Sequence, residues 1–319
     1  MSFRRVLAVF AGVLPASLVA VILFLAIYSW PALRFNGLGF VTSSSWNLGN
    51  TYGSPIVRNG VQVLPGAHYG ILFLVAGTLL STAIALAIAV PVGVGAAIFL
   101  AEAVPGKLRL WLSFLVELLA AVPSVVFGLW GYAVLIPLLG HTIFPLLGRL
   151  LGFVPFFGGP TGSGYGLLTA GIVLSLMIVP LIAATLRDAL LAAPMVVRES
   201  AAALGATKFE AVWKVVLPGV RKILIGVTIL ATGRALGETM AVLMVSGNAL
   251  NYLPPNIYSP ISTMAAFIVS QLDSALQDPT GLAVRSLAEV ALVLSVISVS
   301  VNALARLVLY RAGLRDARV

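Results

Sequence analysis

The sequence predicts an all-α polytopic membrane protein with six transmembrane helices and both termini in the cytoplasm, and three observations carry that expectation. First, 60% of the 319 residues are hydrophobic and only 9% are charged, with a mean hydropathy of +1.09. A soluble domain carries about 25% charged residues, so a water-facing surface cannot be built from this composition. Second, the chain holds six apolar runs of the length a bilayer demands, roughly 20 residues for a hydrocarbon core of about 30 Å. Third, the basic residues are asymmetric. With the N-terminus inside, fourteen of the nineteen Lys and Arg fall in inner segments and three, Arg34, Arg58 and Arg149, in outer ones, while Arg234 and Arg285 lie within runs. Excess Lys and Arg collect in cytoplasmic loops. The net charge of +9 is therefore topological, and no nucleic-acid partner is needed to explain it.

The six runs are residues 6–29, 71–101, 110–139, 166–186, 223–245 and 282–309. The first follows Arg4 and Arg5 and is longer than the 7–15 residue apolar core of a signal peptide, so a retained membrane helix is expected. Pro15, Pro91, Pro123, Pro137 and Pro180 fall inside runs. Membrane helices tolerate Pro when neighbours satisfy the freed carbonyls, and Gly93 and Gly95 would let a second helix approach closely. Residues 30–70, rich in Ser, Asn, Gly and Trp, are expected to cap the outer face. Residues 141–165 read as an outer loop, and 262–276 as a short helix at the outer surface. The organisation expected is a first helix and outer loop over 1–70, a membrane domain over 71–311, and a cytoplasmic tail over 312–319. No internal repeat stands out.

Composition also removes chemistry. There is no Cys, and the two His residues, His68 and His141, have no metal-ligand spacing. Gly106-Lys107 is followed by Leu108, so no phosphate-binding GxxxxGK[ST] loop exists. No GxSxG nucleophile or intramembrane His/Asp cluster supports an enzyme, and no metal or cofactor is expected in the chain.

The inner loop 187–222 is the most distinctive. It contains Glu199-Ser-Ala-Ala-Ala-Leu-Gly205 and, ten residues after that glycine, Val215-Val-Leu-Pro218. Ala and Leu favour a short helix over 198–204. Gly205 is placed for a left-handed C-terminal cap, and a second helix is expected from Thr207 or Lys208 until Pro218 interrupts it. Two short helices with a glycine bend suit insertion into a groove on a partner. This pattern resembles the EAA signature of ABC importer permeases, with Ser200 in place of the first Ala and Val215 in place of Ile. The resemblance implies the type I permease fold and a coupling helix carrying Glu199, Ala201, Leu204 and Gly205 that docks into a separate ATPase, which would be where ATP is used.

The fifth run reads Gly233-Arg-Ala-Leu-Gly-Glu-Thr-Met-Ala241. An arginine in a membrane helix costs ~2.5–3.5 kcal/mol on insertion scales and marks a functional site by default. Glu238 is four residues on, on the same face of a continuous helix and within reach of an ion pair. Two readings stand: the pair locks a helix interface, or Arg234 lines an anion path that Glu238 tunes. The planar guanidinium fork suits tetrahedral oxyanions.

Arg234–Ala241 resembles the fifth membrane segment of PstC-type permeases, the phosphate branch of the ABC importers. Ala121–Trp130 is similar to that family's third segment, and Asn302-Ala-Leu-Ala-Arg306 to its C-terminal end. The resemblance implies phosphate as substrate, a heterodimer with a PstA-type permease, two copies of a PstB-type ATPase, and a PstS-type phosphate-binding protein. It places the chain as a multi-pass protein of a bacterial or archaeal cytoplasmic membrane, surrounded by lipid. Sulfate or molybdate is the alternative cargo. Phosphate keeps a proton at neutral pH and sulfate does not, so a free Glu238 carboxylate would favour phosphate, whereas one engaged by Arg234 would not. Of the other acids, Glu117 reads equally as a packing or a gating residue. Arg285 and Glu289 are expected to pair near the surface, and Glu102 to end a helix in solvent.

Overall fold

The computed structural model describes residues 3–311; the expected tail, 312–319, lies outside the described residues. Helix α1 (Phe3–Tyr28) leads into α2 (Trp30–Asn36) and α3 (Gly39–Thr42), followed by four short strands, β1 (Trp46–Asn47), β2 (Ile56–Arg58), β3 (Val61–Val63) and β4 (His68–Tyr69). Strand β1 pairs antiparallel with β4, and β2 with β3, in the register Ile56↔Val63 and Arg58↔Val61. The turn of the second pair is Asn59-Gly60, both at positive φ, as a two-residue hairpin requires.

Helix α4 (Leu72–Ile98) continues through a π-helical turn at 99–103 and is followed by α5 (Gly106–Ala120). Next come α6 (Ser124–Trp130), α7 (Ile136–Leu138) and α8 (Phe144–Leu151), joined by π-helical turns at 131–135 and 139–143 into one apolar run over Ser124–Leu151. Beyond them are α9 (Leu167–Ala192), α10 (Met195–Ala203), α11 (Lys208–Ala211), α12 (Leu217–Gly219), α13 (Arg221–Leu236), α14 (Met240–Val245), α15 (Met264–Ala275) and α16 (Leu282–Arg311). Among the described residues, five helices are long and apolar enough to cross a membrane. A sixth is obtained if the bent pair Lys208–Gly219 and Arg221–Leu236 counts as one.

Two spans differ from their sequence expectation. The third is Ser124–Leu151, not 110–139. Hydropathy runs unbroken across Pro123, but proline has no N–H and holds the preceding residue out of the helical region. The chain therefore stops at Ala120 and restarts at Ser124, and the expected outer loop is helical as far as Leu151. The fifth, expected as continuous over 223–245, ends at Leu236 and resumes at Met240. A short helix, expected over 262–276, is present as α15.

Helices α4 and α9 form the centre and pack along much of their length. Close approach is made possible by two glycines: a Cβ at Gly93 would sit 2.8 Å from Ile182 Cγ2, and one at Gly171 2.4 Å from Ile84 Cγ2. A Cβ at Gly95, in contrast, would meet nothing within 4 Å among the described residues, so within this chain the close approach is made at Gly93. Around this pair the main core gathers Ala85, Ala89, Val173, Leu174, Met177 and Ile178 with Ala231, Ala241 and Val245. A separate outer core stacks Trp46 edge-on against Tyr69 and Phe267, at 4.8 and 5.0 Å. Thr78 donates to Leu74 O and accepts from the Met264 N–H at 2.9 Å, which pins α15 to α4.

Two acids take other partners than expected. Glu289 does not pair with Arg285. It is buried and accepts a 2.8 Å hydrogen bond from Asn36, joining α16 to α2, because its face of α16 turns inward against the outer layer. Arg285 instead lines an outer cavity of about 380 Å³ beside Arg34, Gln62 and Thr280.

Gly171→Ala should be costly, since Ile84 is branched at Cβ and has no flexible tip to withdraw. Overpacking of this kind costs about 1–3 kcal/mol. The expected result is a lower thermal midpoint of the purified protein, partly restored by Ile84→Ala in the same chain. A wild-type midpoint for Gly171→Ala would show that the α4–α9 contact is not this tight.

Candidate functional site

The loop between α9 and α13 folds as two short helices around a glycine. Helix α10 ends at Ala203, and Gly205 follows at φ +84°. The Gly205 N–H donates to Ala202 O and the Ala206 N–H to Ala201 O, at 2.9 and 3.1 Å, the paired bonds of a Schellman cap. Thr207 then caps α11. Its hydroxyl accepts from the Glu210 N–H, and the Glu210 carboxylate accepts from the Thr207 N–H and hydroxyl, a reciprocal capping box. Lys214 adds an ion pair to Glu210 at 3.1 Å. The Thr207 backbone bond, followed by Lys214 and the Thr207 hydroxyl, holds the Glu210 carboxyl down at about 2. The helix expected to run until Pro218 ends at Gly219, just beyond it. There the chain bends by 67° into α13.

Of the four residues assigned to this loop, Glu199 and Leu204 are exposed, Leu204 to 88%, whereas Ala201 is buried beneath them. No Cβ-sized obstacle surrounds Gly205, so its requirement is purely conformational. Met195, Val196, Phe209 and Trp213 are also exposed, the last two stacked at 6.1 Å. Exposed apolar side chains gathered on one short loop mark a contact surface, for a protein or for the membrane.

This loop is fastened to the membrane helices by arginines. Arg198 donates to the Leu190 and Ala193 carbonyls at 2.7 and 2.9 Å, closing the C-terminal end of α9, where a cation also meets the helix dipole. It pairs with Glu102 at 2.8 Å. Glu102 is thus a partner of the loop and not a solvated helix end, because the turn at 99–103 brings it under α10. Arg187, its side chain 7% exposed, pairs with Glu117 of α5 at 2.9 Å and with the adjacent Asp188. Glu117 is consequently a helix-to-helix tie. Arg198 thus ties α10 to the end of α9 and to the turn after α4, and Arg187 ties α9 to α5.

The second candidate lies on α13. Arg234 is in its last turn and exposed on the surface of the chain. Glu238 does not pair with it. Four-residue spacing brings side chains together only on a continuous helix, and here the helix ends at Leu236; the Glu238 carboxylate accepts from the Ala241 N–H at 3.3 Å and caps the start of α14. What Arg234 shares instead is a cavity of about 730 Å³ between α1, α13 and α16, walled by Leu18, Ile229, Leu230 and Val299 and containing Asn302 and Arg306. Among the described residues neither arginine has a hydrogen bond or ion pair, and no carboxylate lines the cavity.

Residues 89–312 match the family described as binding-protein-dependent transport system inner membrane component. The chain belongs to that family. It is 49% identical over 278 residues to the phosphate transport system permease protein PstC 1 of Mycobacterium tuberculosis, spanning 86% of this chain and 82% of that one. It is 37% identical over 321 residues to phosphate transport system permease protein PstC of Pasteurella multocida, 99% of this chain and 93% of that one. Among solved structures it is similar to an inward-facing form of the MetNI methionine ABC transporter, with a TM-score of 0.48, 18% identity, and coverage of 75% of this chain and 97% of that chain. As a family member the chain is a membrane component of a transport system that works with a binding protein.

Sequence reasoning missed the anchors Arg187, Arg198 and Glu102, whose partners lie 70 to 96 residues away. It also missed the grouping of Arg306 and Asn302 with Arg234. Phe209 and Trp213 carried a readable signal, two aromatics one helical turn apart beside the glycine bend.

The capping box gives a pH expectation. A carboxyl lowered on folding contributes stability that is present above its ordinary range, near 4.5, and is lost as pH falls through about 2. A carbon-13 titration of the Glu210 carboxyl should have its midpoint near 2, and Lys214→Ala should move it upward. An ordinary midpoint in the native chain would mean the box does not form.

Proposed function

We propose that the chain is the phosphate-translocating membrane subunit of an ATP-driven importer of a bacterial or archaeal cytoplasmic membrane. Its partners are a PstA-type permease, two PstB-type ATPase copies and a PstS-type phosphate-binding protein. The observation that carries this reading is the 49% identity to a PstC permease over most of both chains. Sulfate and molybdate are disfavoured, because a protonated oxyanion needs an acceptor and Glu238 keeps one carboxylate oxygen out of its bond to Ala241.

In this reading ATP is bound and hydrolysed by the partner ATPase, and Glu199, Ala201, Leu204 and Gly205 transmit the result. The exposed Met195, Leu204 and Phe209 sit in the ATPase groove, while Ala201 packs the helix from behind. Arg198 passes the displacement to the ends of α4 and α9. Movement of these helices changes access to Arg234, which meets the anion with its planar fork. The contact is brief, since a deep intramembrane well would hold phosphate rather than pass it.

Gly205→Val places a β-branched residue at φ +84°, a left-handed conformation that costs about 1–2 kcal/mol. The expected outcome is weaker co-purification of the ATPase, or ATP hydrolysis without transport. Normal assembly with normal uptake would remove the coupling assignment.

Arg234→Ala should abolish uptake of radiolabelled phosphate in vesicles carrying the complete complex while leaving assembly intact, because deleting an unpaired charge breaks no contact. Arg234→Lys keeps the charge and loses the fork, so partial uptake indicates plain electrostatics and none indicates geometric recognition. Wild-type uptake by an assembled Arg234→Ala complex would make the arginine structural.

A further inference from the structure

We propose that Asn302 and Arg306 of α16 join Arg234 of α13 in one binding site for a phosphoryl oxyanion, in the cavity between α1, α13 and α16. The inference rests on the phosphate path proposed above and adds two residues to it. Three observations carry it. The cavity holds about 730 Å³ and contains two arginines but no acidic residue. Neither guanidinium is paired among the described residues. The Asn302 amide is half-buried against α13, with a Cβ placed at Gly233 3.8 Å from its Nδ2, and makes no hydrogen bond there.

Arg234 and Arg306 line one cavity beside Leu18, Ile229 and Val299 and are both exposed at its mouth, so the two like charges disfavour each other and neither is neutralised within the described residues. An anion with at least three oxygens resolves both problems, taking one fork from each arginine. The free amide adds a feature that a third cation would not. Its Nδ2 donates to an ionised oxygen, and its Oδ1 accepts from a P–OH. A site with cationic forks and one neutral acceptor selects a tetrahedral anion that has kept a proton. A lipid phosphodiester offers ionised oxygens to the two forks but no P–OH to the amide, so the amide favours free phosphate, while the exposed rim of the cavity at Leu230, Ala303 and Arg306 gives either access.

The test uses the complete complex with Asn302→Leu, Arg306→Gln or Arg306→Lys, checked for assembly by size-exclusion chromatography. Labelled inorganic phosphate uptake is measured for KM, and retained phosphatidylglycerol is measured by native mass spectrometry. Asn302→Leu removes no charge and keeps the side-chain volume, so it carries the test if Arg306→Gln does not assemble. The expected result is a KM for phosphate raised about ten-fold or more in Asn302→Leu and Arg306→Gln, with a smaller rise in Arg306→Lys. If KM is unchanged but phosphatidylglycerol is lost from the variants, the phosphoryl group belongs to a lipid and the free-phosphate assignment is overturned. If neither changes, the site does not exist. A wild-type complex that takes up sulfate and not phosphate would instead overturn the function on which the inference rests, a separate result because it needs no variant.

Discussion

The close packing of α4 against α9 is the constraint on which the other elements depend. Gly93 and Gly171 leave no room for a side chain at the contact. In a bilayer, helix association gains nothing from excluding lipid that is as apolar as leucine, so close backbone approach and interhelical hydrogen bonds must supply the attraction. With this pair set, α13 and α14 have a surface to lie on, α5 is held through Arg187 and Glu117, and α15 is held through Thr78.

The same pair carries the loop of α10 and α11. Arg198 is bonded to the last carbonyls of α9 and to Glu102 just beyond α4, so α10 is attached to both helices at one end. A rigid pair with a lever at its end suits a subunit whose energy source is another protein. Gly205 and the Thr207–Glu210 box keep that lever in shape through local backbone bonds, leaving Leu204 exposed and Phe209 exposed on its stack with Trp213.

Charge is treated differently at the two places. In the loop and at the helix ends nearly every arginine with a described role has a carboxylate or carbonyl partner. In the cavity beside α13, Arg234 and Arg306 have none. Both guanidinia are exposed at the mouth of that cavity, where a bound anion would neutralise the two like charges together. The contrast sets this cavity apart from the structural ion pairs and makes it the place where an anion fits the proposed function.

Sequence by itself determined whatever depends on composition and on near neighbours. Apolar length and charge bias named the class; the glycine bend, the Thr207 cap and the short helix over 264–275 follow from local backbone preference. Tertiary structure decided the rest. Pro123 lies inside continuous hydropathy, so only the folded backbone reveals where the third span begins, and the break at Gly237–Thr239 is what separates Glu238 from Arg234. The partners of Arg187, Arg198 and Glu289 lie 70, 96 and 253 residues away in the chain. Arg306 comes to Arg234 only because α16 returns beside α13. Local patterns record backbone preference and side-chain periodicity, but which charges meet is set by how the helices pack.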